Sequence, residues 1–287
     1  MTDQRHRYDY PVQPNSSPAR VIRMVGHGQR VLELGSGPGS ITRHLKNNGC
    51  SVTALELDPE AIVQVAEFCE RVIPCDLNAA GWSALLTGTA PFPVIVAADV
   101  FEHLYDPAAV LRQSLPLLSP DGSLIVSLPH IGHNSVIACL LNGDFAYQPW
   151  GLLDSTHIRF WCLKNMQQLF TDAGYKIVEA EFVVRAPEQT EFAYQWHKLP
   201  PETRAVLTRN RSGNIYQVVI RAVPAEASGI AVQLTSLPVP RPEALPVGDR
   251  SALRNLFRRL GARLDPAIQA RIVRVLRRLN LWPKSSR

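Results

Sequence analysis

A glycine turn preceded by an acid stands near the start of this sequence, in Val31-Leu32-Glu33-Leu34-Gly35-Ser36-Gly37-Pro38-Gly39. It has the form of an apolar strand running into a turn at the mouth of a helix. Glycines let the main chain turn tightly and let a ligand approach it closely. Glu56 follows 21 residues after Gly35, with Leu57 beside it, and Asp76-Leu77 ends the next apolar run. An acid placed like Glu56 can accept hydrogen bonds from both ribose hydroxyls of an adenosine. Asp76 can accept from an adenine amino group while Leu77 packs on the ring. Any one of these acids could equally cap a helix, as Asp58 before Pro59 is expected to do. Three acids at successive strand ends beside a glycine turn are hard to explain as caps alone.

The turn also excludes a dinucleotide enzyme. Ser40 stands where the third glycine of Gly-x-Gly-x-x-Gly would be, Glu33 replaces an apolar strand residue, and Pro38 stiffens the loop.

Alternating strands and helices must position these groups. Apolar runs at Arg30–Leu34, Ser51–Leu57, Val72–Cys75, Val94–Ala98 and Ser123–Leu128 read as strands. Helices are expected over Pro18–Val25 with Ser17 as cap, and over about 39–47, Pro59–Cys69, 80–86 and 107–117. Apolar strands separated by helices imply a parallel sheet covered on both faces. The pattern then changes, and residues 129–161 show no clear period. A helix over 163–173 ends at Gly174, strands follow at Tyr175–Val184 and Ile215–Val223, and a polar, aromatic insertion separates them at 185–213. The expected organisation is an extended lead-in (1–20), one domain (21–223) with a substrate-side insertion at 129–161, a Pro/Ala-rich linker (224–248) and a basic amphipathic helical tail (249–287).

These motifs together resemble the class I S-adenosylmethionine-dependent methyltransferases. Val31–Gly39 is similar to that family's first motif, Glu56 to its ribose carboxylate, Cys75-Asp76-Leu77 to its adenine site, and Asp99-Val100-Phe101-Glu102-His103-Leu104 to its fourth-strand motif. Pro91-Phe92-Pro93 departs from the family, which commonly has an acid at the start of the fourth strand. The resemblance implies an α/β, Rossmann-like fold with a seven-stranded, mostly parallel sheet, helices on both faces and an antiparallel last strand. It implies S-adenosylmethionine as cofactor, held by Glu33, Gly35, Ser36, Gly37, Gly39, Glu56, Leu57, Asp76, Leu77 and Asp99. Leu152-Leu153-Asp154-Ser155-Thr156-His157-Ile158-Arg159-Phe160 further resembles a Leu-Leu-Asp-x-Thr-His-x-Arg-Phe motif of a subgroup often associated with glycan assembly.

Methyl transfer to a hydroxyl profits from a base near neutral pH, usually histidine. His103, His133 and His157 are the catalytic candidates, with His130 the weakest of the four histidines in this region. The competing reading is that Asp154, Thr156, His157 and Arg159 clamp the insertion over the sheet. Tyr147, Trp150 and Trp161 could wall an acceptor site or simply pack. No His-x-x-x-His and no carboxylate pair at ligand spacing is present, so no metal site is expected. The expected reaction is O-methylation of a sugar or glycan intermediate. The alternatives are a small aromatic or quinone-like acceptor, and a catalytically silent cofactor-binding scaffold.

Composition bounds the rest. An apolar fraction of 46% excludes a disordered chain, and the apolar runs are strand-sized, far short of the ~20 residues that a membrane-spanning helix needs. Five cysteines without a Cys-x-x-Cys pair read as reduced thiols in a cytoplasmic protein. Residues 249–287 carry a net charge of +9 and the remainder −4, so the basic character belongs to the tail and implies no nucleic-acid partner for the domain. In that tail Leu253, Leu256, Leu260 and Leu264 recur at helical spacing among arginines. Peripheral attachment to the inner face of a membrane is expected there, or packing on protein.

Overall fold

The structure is a computed structural model, and it describes residues 12–243. The basic tail, for which membrane attachment or packing on protein is expected, and the end of the linker lie outside the described residues.

Helix α1 (Ser17–Val25) is capped by Ser16, whose Oγ accepts the Ala19 N–H, so the cap sits one residue earlier than expected. The chain continues through β1 (Arg30–Leu34), α2 (Thr42–Asn47), β2 (Ser51–Glu56), α3 (Pro59–Val65), β3 (Arg71–Pro74), β4 (Phe92–Ala98), α4 (Pro107–Ser114) and β5 (Leu118–Pro129). It then forms α5 (Asn134–Leu141), α6 (Leu163–Asp172), β6 (Tyr175–Val184), α7 (Ala193–Lys198), α8 (Pro201–Thr208) and β7 (Ile215–Pro224). Asp58 caps α3 by accepting the Glu60 N–H at 2.9 Å. Gly174 follows α6 with φ +86°, the left-handed stop its type allows.

The strands form one seven-stranded sheet in the order β3-β2-β1-β4-β5-β7-β6. Only β7 runs against its neighbours, pairing antiparallel with β5 and β6. The chain order reverses between β1 and β4, and open α/β sheets bind ligands outside the carboxyl ends of the strands at such a point. The central strands are apolar on both faces because helices cover both: Val31, Leu32, Leu34, Ile95, Val96, Leu124, Ile125 and Val126 are all buried.

Two expectations are corrected. The aperiodic region 129–161 contains α5, which packs against α7 of the 185–213 insertion. Val136, Cys139, Leu152, Leu153, Phe192 and Tyr216 form a second core there, so the two irregular regions make one cap. The expected linker is, through Val239, part of the domain. Val232 donates its N–H to Ile177 O at 2.8 Å, Leu234 is buried, and Leu237 and Val239 pack on the main core. Pro and Ala content alone says how stiff a segment is, not whether its occasional aliphatic residues find a surface.

Candidate active site

The site is built on the carboxyl ends of β1, β2, β4 and β5. Gly35, Gly37 and Gly39 all have positive φ, which explains the residue type at each position. Gly35 donates its N–H to Leu55 O at 2.8 Å, tying the loop to the neighbouring strand. A Cβ on Gly35 would meet Val100 Cγ2 at 2.8 Å and one on Gly39 would meet Phe68, whereas one on Gly37 would meet nothing within 4 Å. The loop therefore packs on its outer glycines and opens at its middle one. Ser36 is buried within it.

Glu56 ends β2 and is buried. Its Oε2 accepts the Gly37 N–H at 2.6 Å, and its Oε1 accepts the Leu57 and Asp58 N–H groups at 2.8 and 2.9 Å. Leu57 is 62% exposed and Leu77 only 8%. The apolar face offered to a ring beside Glu56 is therefore Leu57, which corrects the placing of Leu77: that residue packs into the main core. Asp76 is exposed and accepts the Asn78 N–H at 2.8 Å, and Asn78 Oδ1 in turn takes the Tyr105 N–H at 2.8 Å. Glu33 is buried and accepts the Thr42 hydroxyl at 2.7 Å; burial raises its pKa to about 7.

Asp99 follows β4 with φ +54°, the only positive φ on a non-glycine among the described residues. Its Oδ1 accepts Ser127 Oγ–H at 2.7 Å and Gln217 Nε2–H at 2.9 Å, and these bonds hold a backbone conformation that costs energy. Burial raises its pKa. The next turn, Phe101–His103, carries Glu102 and His103. Burial, followed by the nearby Asp99, pushes the Glu102 carboxyl well above the usual range.

The insertion returns to this turn. Glu102 O accepts the N–H groups of Ile158 and Arg159 at 2.8 and 3.1 Å, and Arg159 donates to Tyr105 O at 2.6 Å. Asp154 Oδ1 accepts both the N–H and the hydroxyl of Thr156, at 2.8 and 2.7 Å. His103 Nδ1 lies 3.2 Å from Thr156 O and 3.1 Å from Thr156 Oγ1. A carbonyl only accepts, so a proton sits on His103 Nδ1, and in the neutral ring the lone pair is on Nε2. The Asp-x-Thr-His-x-Arg segment thus is a clamp, and it also sets the tautomer of His103. It brings His157 against His103, with ring centroids 4.9 Å apart, and His157 Nε2 to 4.0 Å from Glu102 Oε1.

His133 does not join them. Its Nδ1 accepts the Ser135 N–H at 3.1 Å as the cap of α5, and its Nε2 lies 3.0 Å from Arg185 O, to which it donates. Both ring nitrogens are committed to the fold, burial lowers its pKa to about 4, and the catalytic candidacy of His133 is withdrawn. His130 is likewise buried, with Nδ1 on Ile215 O. Trp161 is buried in the main core, so of the three aromatic wall candidates Tyr147 and Trp150 are the exposed ones. Glu102 is the site residue that single-position reading missed. Its signal was its place beside His103 in the fourth-strand turn.

Residues 8–180 match the family described as Methyltransferase domain. The chain belongs to that family. It is an S-adenosylmethionine-dependent methyltransferase, with S-adenosylmethionine as its cofactor. It is similar to a ubiquinone biosynthesis O-methyltransferase of Xylella fastidiosa (strain 9a5c), with 34% identity over 188 residues, 61% of this chain and 75% of that relative. A second such methyltransferase, from Xylella fastidiosa (strain M23), is 34% identical over 42% of this chain and 54% of its own length. Among solved structures, a protein of Bacillus halodurans C-125 assigned as a methyltransferase superposes with a TM-score of 0.50, at 14% identity, over 71% of this chain and 97% of that one, a likeness of fold. No described helix is long and apolar enough to cross a membrane.

Proposed function

We propose that this methyltransferase methylates a hydroxyl group of a small aromatic, quinone-like acceptor. The observation that carries this is the 34% identity across 75% of a ubiquinone biosynthesis O-methyltransferase. It favours this acceptor over the sugar expected from the subgroup motif.

The residues at the sheet edge fit the cofactor. The open space over Gly37, the buried Glu56 carboxylate bonded to its N–H and the exposed Leu57 next to Glu56 place polar groups beside one apolar side chain. Glu56 would hold the ribose hydroxyls, Leu57 the adenine face, Asp76 its amino group, and Glu33 and Asp99 the methionine end. The cofactor supplies a methyl group on a sulfonium, whose leaving group is neutral. The protein's remaining work is to place and activate the acceptor oxygen. The Glu102, His103 and His157 cluster stands at the same edge, and Tyr105 and Ile158 beside it are exposed apolar side chains suited to an aromatic body.

The test incubates the full chain with methyl-labelled S-adenosylmethionine and two acceptor pools, one of catechols and hydroxylated quinols, one of sugars and sugar nucleotides. Label in the methyl ether of a hydroxylated aromatic is expected. Label only in the sugar pool overturns the aromatic reading.

A further inference from the structure

We propose that Glu102, His103 and His157 bind one divalent first-row metal ion of the zinc type, whose open position takes the acceptor hydroxyl. The second half rests on the hydroxyl-acceptor reading above; the first half stands on geometry alone. One ligand atom from each residue lies within 4.8 Å of the other two. The set comes from two distant segments, so no local spacing announces it. This overturns the reason for expecting no metal.

Four observations converge. Glu102 Oε1 and His157 Nε2 are 4.0 Å apart, too far for a hydrogen bond. Two ligand atoms each ~2.0–2.2 Å from a tetrahedral ion stand about 3.3–3.6 Å apart, so a small closure places an ion between them. Glu102 Oε2 is buried and accepts no hydrogen bond among the described residues. A carboxylate oxygen in that position calls for a cationic partner. His103 donates Nδ1–H to Thr156 O, with Asp154 behind Thr156. This is the outer shell that metal-bound histidines commonly have, and it turns the Nε2 lone pair into the ligand. Finally, the Ile158 and Arg159 N–H groups on Glu102 O hold the His157 segment against the Glu102 turn. The ligands are thereby prearranged by the fold.

Two imidazoles and one carboxylate suit zinc and its neighbours, while magnesium and calcium prefer oxygen donors. Three protein ligands leave a fourth position open, the arrangement of catalytic rather than structural sites. A hydroxyl bound there loses its proton to solvent more readily. The resulting oxygen then forms its bond to the methyl carbon as the carbon–sulfur bond breaks and the electron pair stays on sulfur. No oxidant or reductant is needed.

The test uses the full chain, freed of metal by chelation, titrated with zinc, cobalt(II) and magnesium. Calorimetry with S-adenosylhomocysteine runs in parallel. Wild type is expected to bind one equivalent of zinc or cobalt and to ignore magnesium. Glu102→Gln and His157→Gln are expected to weaken zinc on the order of 100-fold or more, and Thr156→Val roughly 10–100-fold through the outer shell, all with unchanged S-adenosylhomocysteine affinity. The visible spectrum of the cobalt protein should change when a catechol is added. Absence of zinc binding by wild type, or equal binding by the variants that retain S-adenosylhomocysteine, overturns the site. Full methyl transfer by the chelated protein overturns the ion's role and leaves the acceptor reading intact. Zinc bound at these residues without transfer to any hydroxylated aromatic supports the site and sinks the acceptor reading instead.

Discussion

The carboxylate of Glu56 reaches from the end of β2 to the Gly37 N–H, 2.6 Å away, so the second strand's terminal acid holds the first strand's loop. The same side chain takes the Leu57 and Asp58 N–H groups. Its position is set before any ligand arrives, and a ribose would meet an acceptor that is already oriented.

Glu56→Ala is therefore expected to weaken S-adenosylmethionine and S-adenosylhomocysteine alike, by on the order of 1–3 kcal/mol, and to loosen the loop as well. Glu56→Asp is informative because its shorter side chain cannot span to Gly37. It should lose most of the affinity while keeping a carboxylate. Calorimetry showing wild-type affinity in either variant would remove Glu56 from the cofactor site.

Gly35 makes a separate demand. Its φ of +65° costs an L-residue roughly 1–2 kcal/mol, and a Cβ there would stand 2.8 Å from Val100 Cγ2. Gly35→Ala should lower stability and cofactor affinity together. Adding Val100→Ala relieves the clash and leaves the backbone strain, so urea melts of the pair should recover part of the loss. Complete recovery would show that the left-handed backbone matters little.

The buried histidines predict an acid-sensitive fold. Burial lowers the pKa of His130 and of His133 to about 4 each. Between pH 4 and the unfolded value near 6.5 the unfolded chain binds the extra protons, so stability is present above pH 6.5 and lost as pH falls toward 4. Glu33, raised to about 7, works oppositely: its contribution is present at low pH and lost as pH rises from 4.5 toward 7. His133→Asn isolates one histidine, since asparagine can still cap α5. The variant should be less stable at pH 7.5, yet its melts at pH 5 and 7.5 should differ by less than those of wild type. Over that pH range the ceiling on the difference is about 2 kcal/mol. An unchanged pH dependence would mean that His133 titrates in the fold as it does in the unfolded chain.

What the sequence made legible depended on distance along the chain. The glycine loop, Glu56 and Asp76 lie within fifty residues, each at a strand end whose apolar run is visible, and the sheet assembles them without further information. His103 and His157 were readable as separate candidates, but their contact depends on how the cap folds back. α5 escaped because its eight residues, Asn134–Leu141, are apolar nearly throughout and show no periodic stripe. His133 was misread because its chemistry drew attention away from the Asn134-Ser135 helix start behind it. A histidine can cap a helix as well as remove a proton, and only the Ser135 N–H and Arg185 O contacts decide between them.

Asp154 tests whether the clamp shapes the chemistry or only the cap. Its Oδ1 takes both polar hydrogens of Thr156, and Thr156 in turn holds His103 Nδ1. Asp154→Ala leaves Thr156 to rotate and lets the His103 ring choose either tautomer. The glycine loop and Glu56 are untouched, so the Kd for S-adenosylhomocysteine should stay within about twofold. Turnover should fall by roughly 10–100-fold, the size typical of losing an outer-shell partner. Asp154→Asn keeps an oxygen in place of Oδ1 and should restore most of the rate. If both variants turn over normally, Asp154 serves the cap alone. If the alanine variant loses S-adenosylhomocysteine binding along with turnover, the clamp supports the cofactor site, and Tyr105 and Asn78 offer a hydrogen-bonded route between them.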